Sequence, residues 1–265
     1  MLAAADRASH ERLWHSASVT SGVSGSSAYD RGFYESQAGE SKSSAQVVVP
    51  LVLDLLPTES VLDVGGGVGT WGAAFLSNGV DDVTCVDGDY VDRKQLLVPT
   101  ERFHAHDLER PLDLERQFGL VTCLEVAEHL PAGAAPVLVS SLARHSDLIM
   151  FSAGIPFQGG TNHVNEQWPS YWVRQFADRG FEVFDILRPR LWPDRRVAFW
   201  YRQNLLVFAR GVVAEQVRAL PLVSPPIDIV HPEPWAISRE GYAEVRSIRG
   251  SLHDLKAAAW RRLRR

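Results

Sequence analysis

The sequence predicts an α/β fold built on a parallel, doubly wound sheet, and three observations carry that prediction. Short apolar runs of strand length alternate with helical patterns along most of the 265 residues. The first of these runs ends in a glycine-rich turn, Asp63-Val-Gly-Gly-Gly-Val-Gly, that opens a helix. The later runs end in acids and histidines, as expected where strands reach the ligand edge of an open sheet.

Residues 1–27 are rich in Ser, Ala and Gly, with too few large apolar side chains to offset ordering entropy, and read as a flexible arm. Residues 28–42 hold the aromatic cluster Tyr29, Phe33 and Tyr34 with Gln37, either a lid over a ligand or an aromatic anchor on the core edge. The regular pattern, taken as residues 43–210, opens with a helix over 44–56 stopped by Pro57. Strand 60–64 leads through the glycine turn into helix 70–78, and strands 83–87, 102–107 and 119–124 follow. Helix 134–144, strand 147–152, a polar loop to Gln167 and a helix from Pro169 to Asp178 continue the alternation, with Pro169 in the first turn and Gly180 as the stop. Runs 181–187 and 204–209 have no helical pattern between them, so they are expected to pair as an antiparallel hairpin tipped by an Arg/Trp loop, 188–196. That makes seven strands. Residues 211–265 form an extension: a short helix, a Pro-rich stretch, and a basic helical tail whose last twenty residues carry seven Lys/Arg against Asp254.

Composition limits the function classes. A net charge of −5 argues against a protein that coats nucleic acid. No apolar run reaches the ~18–20 residues of a membrane span, and no leader pattern opens the chain, so a cytoplasmic protein is expected. Cys85 and Cys123 both fall inside strands and read as small buried hydrophobes.

The glycines imply close approach of a ligand to the backbone, and free N–H groups at the helix start favour a polar or anionic group there. Asp87, ending the next strand, is placed to bind a ribose diol, so a nucleoside-containing cofactor is expected. Gly67, Gly69 and Gly72 also satisfy a dinucleotide spacing, so the turn alone does not choose between cofactors. Asp63 either accepts from a ligand ammonium or orders the turn, and Asp107 either accepts from an adenine amino group or caps its own turn.

Taken together, Val61-Leu-Asp-Val-Gly-Gly-Gly-Val-Gly, Val86-Asp-Gly-Asp, His106-Asp-Leu and Leu124-Glu-Val-Ala-Glu-His-Leu resemble successive motifs of the class I S-adenosylmethionine-dependent methyltransferases. The resemblance implies a Rossmann-like seven-stranded sheet with the last strand antiparallel, in agreement with the strand count. It also implies that Gly65, Gly67 and Gly69 contact the methionine end, Asp87 the ribose and Asp107 the adenine. Asp63, Gly88, Leu108, Glu125 and Tyr34 complete the expected cofactor set. Gly66 stands where many members have Cys, an exchange expected to be silent.

Glu125, Glu128 and His129 follow the fourth strand at spacing i, i+3, i+4, which shares one face if the chain turns helical. Two converging carboxylates need a cation or a proton between them. The loop 159–168 supplies His163 at the same edge, and two Glu with two His suit Mg²⁺, Mn²⁺ or Zn²⁺ with an open position for a substrate oxygen. This Glu-x-x-Glu-His pattern resembles small-RNA 3′-end 2′-O-methyltransferases and ubiquinone-pathway O-methyltransferases. Carried over, the metal set is Glu125, Glu128, His129 and His163; without metal, His163 or His129 is the general base. Glu166 and Trp168 are expected to be loop and packing residues. The functions kept open are O-methylation of a small-molecule acceptor, with N-methylation within the same class; 2′-O-methylation of RNA; and a non-catalytic cofactor-binding protein.

Overall fold

The computed structural model describes residues 31–220 and 228–232, with residues 31–38 as backbone alone. Helix α1 (Arg31–Leu55) leads to strand β1 (Ser60–Val64), α2 (Thr70–Ser77), β2 (Asp82–Asp87), β3 (Phe103–Ala105) and β4 (Leu120–Leu124). Then come α3 (Ala135–His145), β5 (Leu148–Ser152), α4 (Pro169–Ala177), β6 (Glu182–Phe184), α5 (Arg188–Leu191), α6 (Phe199–Asn204), β7 (Leu206–Ala209) and α7 (Gly211–Arg218). The seven strands form one sheet in the order β3-β2-β1-β4-β5-β7-β6. β1 to β5 pair in parallel, and β7 enters between β5 and β6 antiparallel to both.

Both faces of the sheet are covered, which is why the strands read as continuous apolar runs rather than alternating ones. Val61, Val83, Leu120 and Met150 face α1 and α2, where Val48, Val49, Val52, Trp71 and Phe75 pack on them. Leu62, Val121, Ile149 and Phe151 face α3 and α4, meeting Leu138, Leu142, Trp172 and Phe176. Phe176 stacks on Phe208 with ring centroids 4.1 Å apart, and its loss is worth about 3–5 kcal/mol. Both cysteines are buried and free.

Two expectations need correction. Helix α1 begins at Arg31, well before 44, so the described part of segment 28–42 is helical; it runs through Pro50, whose side is exposed while Val48, Val49 and Val52 anchor the opposite face. The connection between β6 and β7 is no open hairpin loop. β6 ends at Phe184, Asp185 binds the Arg188 guanidinium, and the chain folds into α5 and α6 with Ile186, Leu187, Leu191 and Tyr201 buried. Arg188, expected at a solvated or substrate-facing tip, is 1% exposed. The arm 1–27, Tyr29, most of the Pro-rich stretch and the basic tail lie outside the described residues.

Candidate active site

The C-terminal ends of β1, β2, β3, β4 and β5 share one edge, so the residues following Val64, Asp87, Ala105, Leu124 and Ser152 gather there. Gly65, Gly67 and Gly69 have φ of 76°, 55° and 85°, the left-handed region that glycine enters without strain. The Gly65 and Gly66 N–H groups both donate to Val86 O, fastening the turn to β2. A β-carbon on Gly65 would lie 2.3 Å from Val126 Cγ2, so this glycine is required by space as well as by backbone.

Asp63 lies beneath the turn, 2% exposed, with Oδ1 accepting from Thr122 Oγ1 at 2.7 Å. Its Oδ2 is enclosed without a hydrogen-bond partner. Burial pushes the carboxyl up from 3.8 to about 6, against the Thr122 hydrogen bond that lowers it. Of the two roles left open for Asp63, this enclosure fits ordering of the turn. It also makes position 66 anything but silent: a β-carbon there would lie 2.6 Å from Asp63 Oδ2.

Asp87 ends β2, is 5% exposed, and accepts from Gly67 N through Oδ2 (2.7 Å) and from Gly88 N through Oδ1 (2.6 Å). Tyr90 Oη also donates to Oδ1, at 2.5 Å. Beside it opens a cavity of about 330 Å³ lined by Gly88, Asp89, Tyr90, Ala105, His106 and Asp107. Asp107 is beyond β3, in an exposed turn, where Oδ1 accepts from Glu109 N and the other oxygen pairs with Arg110. Leu108 sends its side chain into the core under this turn. The side chains of Phe33, Tyr34 and Gln37 lie outside the described residues.

After β4 the chain takes an unusual path. Glu125 has φ 53°, and its carboxylate accepts from Gln158 Nε2 and Asn204 Nδ2, each at 3.2 Å. A 3₁₀ turn, Ala127–His129, then buries Glu128 completely, with no hydrogen-bond partner for either carboxylate oxygen. Burial, then the neighbouring Glu125, pushes the Glu128 carboxyl well above its usual 4.5. Val164 N and Asn165 N donate to Glu128 O, drawing the 153–167 loop across the turn. Ligand atoms of Glu128, His129 and His163 consequently lie within 4.8 Å of one another. The two imidazoles meet edge to face with centroids 4.9 Å apart, and burial together with His163 lowers the His129 pKa from 6.5. Glu125, the fourth expected ligand, is not in this group; it belongs to the amide network of Gln158, Gln203 and Asn204.

Sequence reasoning missed three of these partners. Glu166 is more than a loop residue: Oε1 accepts from Gly159 N and pairs with His163 Nδ1, while Oε2 accepts from Phe157 N. Its spacing of three from His163, after a Gly-Gly pair, was the available signal. Tyr90 and Asn204 carried none, since each meets its partner only through the fold.

A family model described as a methyltransferase domain matches residues 41–186, from α1 to β6. The chain belongs to the methyltransferase-domain family. It is an S-adenosylmethionine-dependent methyltransferase of class I. No curated protein matches this methyltransferase. Among solved structures, it is similar to a candidate O-methyltransferase from Nostoc punctiforme (17% identity, TM-score 0.50, covering 67% of this chain and 59% of that one). It is also similar to the methyltransferase domain of a bacterial Hen1, CtHen1 (18%, TM-score 0.48, 65% and 100%). A third is the magnesium protoporphyrin IX methyltransferase of Synechocystis PCC 6803, solved with bound S-adenosylmethionine (18%, 0.47, 76% and 91%). The first of these likenesses speaks for the fold of the methyltransferase alone. No helix among its described residues is long and apolar enough to cross a membrane.

Proposed function

We propose that the methyltransferase acts on a hydroxyl oxygen of a small-molecule acceptor, such as a sugar, a phenol or a specialised metabolite. In this reading Glu128, His129 and His163 hold a divalent cation, Mg²⁺ or Mn²⁺, beside that oxygen. The observation that carries it is Glu128: a fully buried carboxylate with two imidazoles within ligand reach. An ionised carboxylate so placed costs several kcal/mol unless a cation or proton compensates, and a donor set of one carboxylate and two imidazoles fits a small divalent ion. Bound there, the ion would lower the pKa of a coordinated hydroxyl. The acidic net charge favours a small acceptor over a polyanionic RNA.

The chain's own groups do the rest. The glycine turn and Asp87 would hold the donor nucleoside at the sheet edge that also carries the β4 and β5 ends. His129, kept neutral near pH 7 by burial and by its neighbour, accepts the acceptor's proton or offers a ligand lone pair. When bound, S-adenosylmethionine would supply an electrophilic methyl that passes from sulfur to the acceptor oxygen, the S–C bonding pair staying on S-adenosylhomocysteine, while the acceptor's proton is held as imidazolium or passed to solvent.

The test is a labelled-methyl assay over a metabolite panel, repeated after chelation. Labelled ether products, lost with chelator and restored by Mg²⁺ or Mn²⁺, together with Mn²⁺ binding that weakens in His163→Ala, are expected. Products labelled on nitrogen, or full turnover after chelation with no Mn²⁺ binding, would overturn the corresponding half of the proposal.

A further inference from the structure

Asp87 holds more hydrogen bonds than a ribose-binding carboxylate can keep. An ionised carboxylate offers about four acceptor positions, two on each oxygen. Three are taken: Gly67 N on Oδ2, and Gly88 N with Tyr90 Oη on Oδ1. One position remains, and a ribose diol bound through both hydroxyls needs two. The Gly67 N–H belongs to the glycine turn, where Gly67 has φ 55°, and the Gly88 N–H belongs to the residue directly after β2. Neither can withdraw without moving the backbone that shapes the site.

Tyr90 can. It is 84% exposed, so no core contact holds its ring. The ring lies close over Gly88, where an added β-carbon would fall 2.1 Å from Tyr90 Cε1. The same residue lines the cavity that runs from Gly88 to Asp107. Its hydroxyl is tethered to Asp87.

We propose that Tyr90 is a ribose surrogate: its phenol occupies an Asp87 acceptor position in the cofactor-free enzyme and is exchanged for a ribose hydroxyl when the nucleoside binds. The proposal rests on the reading that Asp87 takes the ribose diol. Its consequence is that part of the cofactor's binding free energy is spent displacing the phenol, and that Gly88 is small because the ring must lie on it.

The experiment is calorimetric binding of S-adenosylhomocysteine to the full-length enzyme and to Tyr90→Phe, with adenosine and 2′,3′-dideoxyadenosine measured by displacement. Because Tyr90 is exposed, Tyr90→Phe is expected to fold, and its melting temperature checks this. We expect Tyr90→Phe to bind S-adenosylhomocysteine and adenosine roughly three- to tenfold more tightly, the order of one hydrogen bond removed from competition. The affinity for dideoxyadenosine, which cannot contest Asp87, stays unchanged. Equal affinities for S-adenosylhomocysteine, weaker binding by the variant, or an equal gain for dideoxyadenosine each overturn the exchange. Asp87→Asn separates the underlying reading: if it keeps parental affinity for adenosine, Asp87 is not the ribose acceptor, whatever Tyr90→Phe does.

Discussion

Thr122 donates to Asp63 Oδ1 at 2.7 Å across the β1–β4 pair, 59 residues apart in sequence, directly under the glycine turn. Because the folded-state pKa of Asp63 is about 6 against 3.8, the native protein binds the extra proton. The contribution of Asp63 to stability is therefore fully present below the lower value, is lost as pH rises from 3.8 to about 6, and is flat above. The ionised form costs roughly 3 kcal/mol at neutral pH by this linkage, an order of magnitude only. Asp63→Asn should gain about that much on its parent between pH 4 and pH 8, read by urea unfolding at both. Parallel unfolding curves at the two pH values would show that Asp63 does not titrate in this window. Thr122→Val should lose about 1–3 kcal/mol at pH 8, and less at pH 4.

Gly66→Ala tests the space above that carboxylate. The new β-carbon would meet Asp63 Oδ2 at 2.6 Å, so the variant should lose stability and cofactor affinity. In an Asp63→Ala background the loss should shrink, with a coupling of about 0.5–3 kcal/mol. Additive effects would mean that the glycine serves something other than Asp63.

Cation binding should be coupled to a proton. Burial and the neighbouring Glu125 push the Glu128 carboxyl up and so favour its protonated form, whereas an ion binds the carboxylate; the His129 pKa is lowered, which favours the neutral imidazole an ion needs. Mn²⁺ titrated by calorimetry near pH 7 in buffers of different ionisation enthalpy should release about one proton per ion, and affinity should fall as pH falls. Binding without proton release would place the ion elsewhere.

Glu166 ties Phe157 N, Gly159 N and His163 Nδ1 to one carboxylate. Glu166→Ala should reduce kcat roughly 10- to 100-fold through misorientation of His163, with S-adenosylhomocysteine affinity unchanged and partial recovery in Glu166→Gln. A defect confined to cofactor binding would contradict this.

The buried pair Arg188 and Asp185, 1% and 8% exposed, is a stability element. Arg188→Leu strands a buried acid and should cost about 3–5 kcal/mol in urea unfolding. A loss below about 1 kcal/mol would place the pair among surface bridges.

Much of this protein was legible before folding. The glycine turn, Asp87 at the end of β2 and the acid-histidine run after β4 stand where alternation of apolar runs put them, because strand ends on one edge of a parallel sheet follow from topology. Strand boundaries were less so: β6 stops at Phe184, three residues early, and Asp185, its carboxylate on Arg188, leads into α5. Helices α5 and α6 were unreadable because neither is longer than six residues, too short for a periodic stripe.

The sequence by itself determined the α/β class, the seven strands, the glycine turn and the chemical types delivered to the sheet edge, all of which depend on local periodicity and turn chemistry. Tertiary structure alone decided how those groups divide. Glu125 sides with Asn204, 79 residues away, instead of joining Glu128, His129 and His163; Asp87 shares its carboxylate with Tyr90; and Asp63 is sealed under its turn by Thr122. A carboxylate's partners are set by which donors the packed backbone brings within about 3 Å, and no spacing along the chain encodes that distance.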